Sequence, residues 1–189
     1  MTSIIKVDQI QTVAGGVPTA ADLGLNTTGT VLQVKSVNTQ SHQSHSTTTF
    51  AQFSGLDISI TPTSASSKIL ISYNVFAGQA QDDNYLQFVV RKSVGGGSNV
   101  DVRNGASVGG ASLVSWANNG PYTHAVYEVH ASSWQYLDSP ATTSQIDYKL
   151  FARAMATTAR TMYLNRPHDV GDANRSSTTS TVTVMEIAG

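Results

Sequence analysis

After residue 30, apolar and polar residues alternate with a period of two along most of the chain, which is the pattern of β-strands that bury one face. The pattern is clearest in residues 67–76 and 85–92. The apolar positions that share one face are Ile69, Ile71, Tyr73 and Val75 in the first segment and Leu86, Phe88 and Val90 in the second. Both segments are therefore predicted to be core strands.

The same alternation, interrupted by turn residues, predicts about ten short strands in all. They lie at residues 30–37, 50–61, 67–76, 85–92, 99–103, 111–117, 123–131, 146–155, 160–164 and 178–187. In the first strand, Leu32 and Val34 are expected on one face and Gln33 on the other. Residues 42–49 are polar and predict a loop or an exposed edge. No segment has a helical period, so the predicted fold class is all-β: a single antiparallel β-sandwich, jelly-roll-like.

The last predicted strand contains a conflict. Glu186 is in phase with Val182 and Val184, which are expected in the core, whereas Met185 and Ile187 occupy the other face. A buried carboxylate needs hydrogen-bonding partners. Either a β-bulge re-aims the strand, or both of its faces are covered and a partner satisfies Glu186.

Residues 1–29 differ from the rest, because single apolar residues are scattered among turn formers such as Gly15, Pro18 and Gly24. No helix or strand of useful length can form there. The sequence thus predicts an extended N-terminal attachment arm at residues 1–29 and a β-sandwich domain at residues 30–189. The candidate attachment residues are the apolar side chains of the arm: Ile4, Ile5, Val7, Ile10, Val13, Val17, Leu23 and Leu25.

Charge and cysteine content narrow the function. Charged residues make up 12% of the 189 residues and the formal net charge is −1, against about 25% charged residues in a typical domain. Without a basic field, the chain lacks the charge that nucleic-acid binding requires. The sequence has no cysteine, which excludes disulfides and thiolate metal sites. It shows neither a cleavable signal nor a bilayer-length apolar run, so a soluble protein without membrane insertion is expected.

Two groups of residues could supply metal ligands, but neither matches the pattern of a known metal site. His42 and His45 would point to opposite faces of a strand, so they share an ion only if the segment turns or if three copies of one histidine meet on a threefold axis. A polar loop is the simpler interpretation. A second group does not match a calcium loop and is interpreted as turn residues that cap backbone amides. It comprises Asp82, Asp83, Asp169, Asp172 and Asn174. No metal or cofactor is predicted.

The sequence carries no catalytic motif: there is no Gly-x-Ser-x-Gly elbow, no His-Glu-x-x-His and no phosphate-binding glycine loop. A paired-carboxylate glycosidase leaves no fixed spacing, so that alternative stays open. Nothing among the 12 acidic residues selects two of them, however. The prediction is that the protein is not an enzyme.

Four aromatic residues flank turns in the middle of the chain, namely Trp116, Tyr122, Trp134 and Tyr136. Exposed aromatic faces stack on sugar rings, so these are the candidate contacts to a host-surface glycan. The alternative is that the two tryptophans pack inside the sandwich or between subunits, since large aromatics dominate both kinds of surface. Packing is the favoured interpretation for the tryptophans.

Both ends of the chain resemble a known class of protein. The segment Ile5-Lys6-Val7-Asp8-Gln9-Ile10-Gln11 is followed by Ala14-Gly15-Gly16-Val17-Pro18 and Asp22-Leu23-Gly24, and the last strand covers residues 180–187. These sequences resemble tail-fibre-like virion structural proteins of tailed bacteriophages, of the marine phage and cyanophage type. The resemblance implies a homotrimeric virion component that assembles in the host cytoplasm. Its arm would bind another virion protein, either a tail adaptor or nozzle protein or the capsid.

Three interpretations of the function are kept, two that follow from this resemblance and one that rests on the aromatic residues. A component of the tail fibre or a tail appendage, contacting the host surface, ranks first. The short chain, with no coiled coil or repetitive shaft, suits a compact appendage, an adaptor or a decoration knob better than a long fibre. A capsid decoration protein, of the head-fibre or cement kind, is the first alternative. A lectin-like module that binds glycans without needing its arm is the second.

Overall fold

The structure is a computed structural model, and it describes residues 11, 14–18, 22–24, 28–80, 85–119, 125–154 and 157–189. Within these ranges the chain forms twelve strands and one 3-10 turn at Ala125–Tyr127. The strands are β1 (Val31–Thr39), β2 (Ser44–Ser46), β3 (Ala51–Gln52), β4 (Ile58–Ile60), β5 (Lys68–Gln79), β6 (Tyr85–Val94), β7 (Val100–Asp101), β8 (Trp116–Asn119), β9 (His130–Asp138), β10 (Ile146–Arg153), β11 (Thr161–Leu164) and β12 (Ser180–Ile187). None of the described residues belongs to a helix long and apolar enough to cross a bilayer.

The strands form two antiparallel sheets. In sheet A, β5 pairs with β9 along one edge and with β12 and β11 along the other; β1 lies beyond β12 and β2 beyond β11. In sheet B, β10 and β6 are central, with β3 and β4 beyond β10 and with β7 and β8 beyond β6.

The connectivity is that of a jelly roll. Its principal strands in chain order are β1, β4, β5, β6, β8, β9, β10 and β12. Numbered in that order, sheet A reads first, eighth, third, sixth, and sheet B reads second, seventh, fourth, fifth. Two interlocked Greek keys that alternate between the sheets define a jelly roll. The predicted all-β sandwich is confirmed.

The core lies between the two sheets, and the two clearest predicted strands supply its centre. All the apolar positions predicted to share a face on β5 and β6 have no exposed surface: Ile69, Ile71, Tyr73, Val75, Leu86, Phe88 and Val90. Leu56, Ile58 and Ile60 add to this core from β4 and the turn before it. The polar segment at 42–49 contains β2, at the edge of sheet A.

Two predicted strands are misplaced. The strand predicted at 123–131 is wrong for residues 125–129, since the 3-10 turn lies there and β9 runs from His130 to Asp138. The strand predicted at 111–117 begins only at Trp116. Apolar residues that suggested strands in these two places, Leu113 and Tyr127, are 45% and 41% exposed, so the apparent alternation does not mark a buried face.

Gln33 and Val34 lie on opposite faces of the first strand, as predicted, but the polar Gln33 and not the apolar Val34 turns inward. The register between β1 and β12 shifts between Val31 and Gln33, which marks a β-bulge. After the bulge Gln33 reaches the buried carboxylate of Glu186, and Val34 is 55% exposed. One extra residue in a strand reverses the faces of all that follow.

Glu186 is fully buried in phase with Val182 and Val184, and its own strand has no bulge. Its carboxylate accepts hydrogen bonds from the Thr63 amide at 2.6 Å, from the Thr63 hydroxyl at 2.7 Å and from Gln33 Nε2 at 2.6 Å. The conflict in the sequence is thus resolved by groups of the same chain.

Gly78 of β5 lies directly beneath the backbone of Arg166 and Pro167, which covers one end of the outer face of sheet A. A Cβ atom at this position would lie 2.8 Å from Pro167 Cα and even closer to the carbonyl oxygen of Arg166. Both are backbone atoms, so Gly78→Ala must displace the segment. We expect urea unfolding to show a loss of about 2 kcal/mol.

Gly105→Ala is the matched control for this variant, because a Cβ there meets nothing within 4 Å. It should stay within about 0.5 kcal/mol of the wild type. Equal stability of the two variants would contradict the close approach at Gly78.

Candidate functional site

The arm is the first candidate site. Six of its predicted attachment residues lie outside the described residues: Ile4, Ile5, Val7, Ile10, Val13 and Leu25. The two that are described, Val17 and Leu23, are 84% and 47% exposed. The sandwich begins where the Gly29 amide donates to the Ala188 carbonyl at 2.8 Å. The described apolar side chains of the arm therefore lie on the surface and add nothing to the core.

The second candidate site is a row of stacked aromatic rings between the two sheets. Phe88 of β6 and Trp116 of β8 are direct cross-strand partners, with ring centroids 4.7 Å apart. Trp116 stacks on Trp134 of β9 at 5.8 Å, and Trp134 stacks on Tyr136 at 5.9 Å. The row thus runs from sheet B to sheet A. It brings together three of the four candidate glycan contacts; Tyr122 lies outside the described residues.

The environment of this aromatic row limits what it can bind. Trp116 and Trp134 are partly buried and pack against the core, and Tyr73 also approaches Trp116, at 6.2 Å. Trp116 Nε1 is buried without a hydrogen-bond partner among the described residues. Because the rings stack on one another, the tryptophan faces are already covered in part. The arrangement suits closure of the sandwich between β8 and β9, with Tyr136 at the end of the row.

A buried ionic cluster is centred on Asp138, the last residue of β9. Lys92 Nζ donates to Asp138 Oδ1 at 2.8 Å and to Oδ2 at 2.6 Å, and the Tyr148 hydroxyl donates to Oδ2 at 2.8 Å. Burial, and next to it the charge of Asp138, raises the pKa of Tyr148. Asp138 belongs to sheet A, whereas its two partners belong to sheet B. The cluster therefore ties the sheets together, and both oxygens of its carboxylate accept hydrogen bonds from the opposite sheet.

This cluster was not predicted from the sequence. Asp138 precedes Ser139 and Pro140 and lies outside the predicted strands, and Lys92 is the last residue of the strand predicted at 85–92. The sequence signal for β9 was weak, because none of its inward-facing residues is aliphatic. These residues, which alternate with outward-facing ones, are His130, Ser132, Trp134, Tyr136 and Asp138.

The histidines bind separate partners. His42 Nε2 lies 2.8 Å from the Ser177 hydroxyl, and His45 Nε2 lies 2.8 Å from the Gln52 carbonyl oxygen. Among the described residues no group of three or more His, Cys, Asp or Glu side chains is placed to hold a metal ion.

The acidic turn residues that are described cap backbone amides, as predicted. Asp169 accepts from the Gly171 amide at 2.8 Å, and Asp172 accepts from the Asn174 amide at 2.7 Å. Asp82 and Asp83 lie outside the described residues.

Comparisons with known proteins give no family assignment. No protein-family model and no curated protein matches the chain. Among solved structures, the chain is similar to a chain in the structure of the infectious bursal disease virus Gx strain, with 8% identity and a TM-score of 0.41. The alignment covers 82% of this chain and 37% of that chain. The chain thus spans little more than a third of the length of the solved chain it matches.

Proposed function

We propose that this protein is a structural component of a tailed-phage particle: a tail fibre or tail appendage protein that is anchored by its N-terminal arm and contacts the host surface. The arm, residues 1–29, lies on a neighbouring virion protein, and the β-sandwich projects from it. The protein acts as a homotrimer and performs no catalysis. It is assembled into the particle in the host cytoplasm.

The exposure of the arm's described apolar side chains carries this proposal. Val17 and Leu23 lie on the surface although the sandwich already has a complete core. Apolar side chains on an arm of this kind gain burial only against another protein. The sequences at both ends, which resemble those of tail-fibre-like virion proteins, support another virion protein as the partner. A jelly roll agrees with this role by analogy alone, since the fold serves viral shells and lectins alike.

The mechanism of attachment is burial of separated apolar residues in grooves of the partner, with backbone hydrogen bonds in the manner of strand addition. Ordering the arm costs about 1–2 kcal/mol of backbone entropy per residue. Many weak contacts must offset that cost. Three arms on one trimer help, because binding of the first raises the effective concentration of the others.

Two alternatives keep their own tests. A capsid decoration protein would appear on the shell instead of the tail in a cryo-EM map of the particle. A lectin-like module would bind glycan through Trp116, Tyr122, Trp134 or Tyr136 and would keep doing so after residues 1–29 are removed. Trp116, Trp134 and Tyr136 stack on one another, which favours packing over glycan contact for these three residues.

If the arm attaches the protein to the particle, removing the apolar side chains of the arm should abolish incorporation. Replacing Ile5, Val7 and Ile10 together with serine should leave a soluble, folded sandwich that no longer enters particles, because the apolar contacts to the neighbour are gone. Incorporation is measured as the amount of this chain in purified particles, and the fold by circular dichroism.

The matched control replaces three exposed valines of the sandwich, Val100, Val108 and Val170, which are 53%, 71% and 59% exposed. Serine at these positions should leave incorporation unchanged. Normal incorporation of the arm variant would contradict the attachment role, and loss of its fold would show that the arm is part of the domain. A cryo-EM map of the particle would show whether the wild-type protein lies on the tail or on the capsid.

A further inference from the structure

The outer surface of sheet A carries a row of apolar side chains that crosses four strands. Val34 of β1 pairs with Met185 of β12, Met185 pairs with Leu70 of β5, and Leu70 pairs with Leu137 of β9. Paired residues of neighbouring strands point to the same side of a sheet. Ile69, the chain neighbour of Leu70, has no exposed surface, so the row faces outward. Val34 and Leu137 are 55% and 42% exposed.

Two polar rows lie beside this apolar row. They consist of Ser36, Thr183, Ser72 and Gln135, and of Asn38, Thr181, Asn74 and Ser133. Some of these side chains already bind one another: the hydroxyls of Ser36 and Thr183 lie 2.9 Å apart, and Gln135 Nε2 donates to Ser72 Oγ at 3.1 Å. No residue in the three rows is charged. The three rows together are called the neutral face below.

The neutral face is unusual for a sheet surface that meets water. The solvated side of an antiparallel sheet is normally polar, whereas here an apolar row crosses the whole width. Hydroxyl and amide groups both donate and accept hydrogen bonds, so identical rows pair without charge repulsion. A strongly charged partner would gain nothing from this surface. The composition therefore fits a surface of the same kind.

We infer that the neutral face is the contact surface between copies of this chain. Four strands span about 19 Å, and residues 68–74 of β5 extend about 24 Å. Contact between two such faces covers about 900 Å² before side-chain relief is counted, close to the roughly 1,000 Å² that a specific interface needs. Because the two contacting faces are identical, the contact has twofold symmetry and joins copies in pairs. It is a different contact from the one that would build the homotrimer of the proposed function, and it does not depend on the virion role.

Analytical ultracentrifugation of the full chain tests this inference. The wild type should sediment as a dimer of the 20.0 kDa chain, or as a pair of trimers if the chain also trimerises through another contact. Val34→Lys combined with Leu137→Lys places charges on the neutral face at positions that are already exposed, so the fold is retained. Like charges across the contact should raise the apparent dissociation constant about 100-fold or more. Val108→Lys with Val170→Lys adds the same charge away from the face and should leave the mass unchanged.

A second measurement covers the case in which the lysine variant fails to fold. The chain has no cysteine, so Ser72→Cys introduces a single thiol at the centre of the neutral face. Maleimide should modify it more slowly in the oligomer than it modifies Val108→Cys. Equal labelling rates, a monomeric wild type at about 100 μM, or a folded lysine variant with unchanged mass would each overturn the inference. A monomer that still enters particles would overturn this interface and leave the virion role intact.

Discussion

Replacing Asp138 with alanine should destabilise the protein by about 3–5 kcal/mol, because it leaves the ammonium group of Lys92 between the sheets without its counter-ion. Both oxygens of Asp138 accept from Lys92, and Oδ2 also accepts from the Tyr148 hydroxyl. The variant therefore removes an ionic contact and a hydrogen bond at once. Domains of ordinary stability have about 5–15 kcal/mol in total, so the loss is a large fraction.

Urea unfolding followed by tryptophan fluorescence measures this loss. Asp101→Ala is the matched control, because Asp101 also pairs with a basic residue, Arg91, at 2.9 Å, but its side chain is 43% exposed against 8% for Asp138. Water already screens the exposed pair, so the control should change stability by less than about 1 kcal/mol. Equal effects of the two variants would contradict the buried character of the Asp138 cluster.

A double variant separates the ionic contact from simple packing. Lys92→Met combined with Asp138→Leu removes both charges and fills a similar volume. Since the desolvation cost of a buried pair offsets much of its attraction, the double variant should recover most of the stability that Asp138→Ala loses. A double variant as unstable as the single one would show that the fold needs the hydrogen-bond geometry itself.

The sequence predicted those strands whose inward side chains are aliphatic. β5 and β6 carry Ile, Leu, Val and Phe at alternate positions, and burial of such side chains determines which face turns inward. β9 escaped prediction because its inward side chains include Trp134, Tyr136 and Asp138. These residues are held by ring stacking and an ion pair with distant strands, and neither leaves a local periodic signal.

Contacts between strands far apart in the chain could not be predicted. The neutral face exists because Val34, Met185 and Leu70 fall into one register, which depends on the bulge in β1. The aromatic row likewise depends on β8 of sheet B and β9 of sheet A lying at the same edge of the sandwich. The candidate aromatic residues were identifiable as a set, but the stacking of Trp116, Trp134 and Tyr136 was not.

Glu186 illustrates both what the sequence could predict and what only the fold shows. Its phase with Val182 and Val184 exposed a conflict that the sequence alone could state. Its partners, Gln33 and Thr63, come from elements that only the fold brings together. Burial pushes the pKa of Glu186 upward, but the hydrogen bonds from Gln33 and Thr63 outweigh burial and hold the pKa below its ordinary value of 4.5.

Glu186→Gln should therefore cost about 3 kcal/mol at neutral pH. The new amide nitrogen would face groups that donate, which removes a charge-assisted hydrogen bond and leaves a buried donor without an acceptor. Urea unfolding measures the loss. Glu128→Gln, at a side chain that is 46% exposed, is the matched control and should change stability by less than about 0.5 kcal/mol.

Acidification should narrow the gap between wild type and Glu186→Gln. The folded pKa is depressed, so the unfolded chain takes up the proton first as the pH falls. The stability that ionised Glu186 contributes is thus complete above the unfolded pKa near 4.5 and is lost as the pH falls through the folded pKa. Hydrogen bonds from Ser59 and Gln145 also depress the pKa of Asp147, but this residue is present in both proteins and cancels in the difference. A gap that stays constant between neutral pH and about pH 3 would show that Glu186 does not bind its donors as a carboxylate.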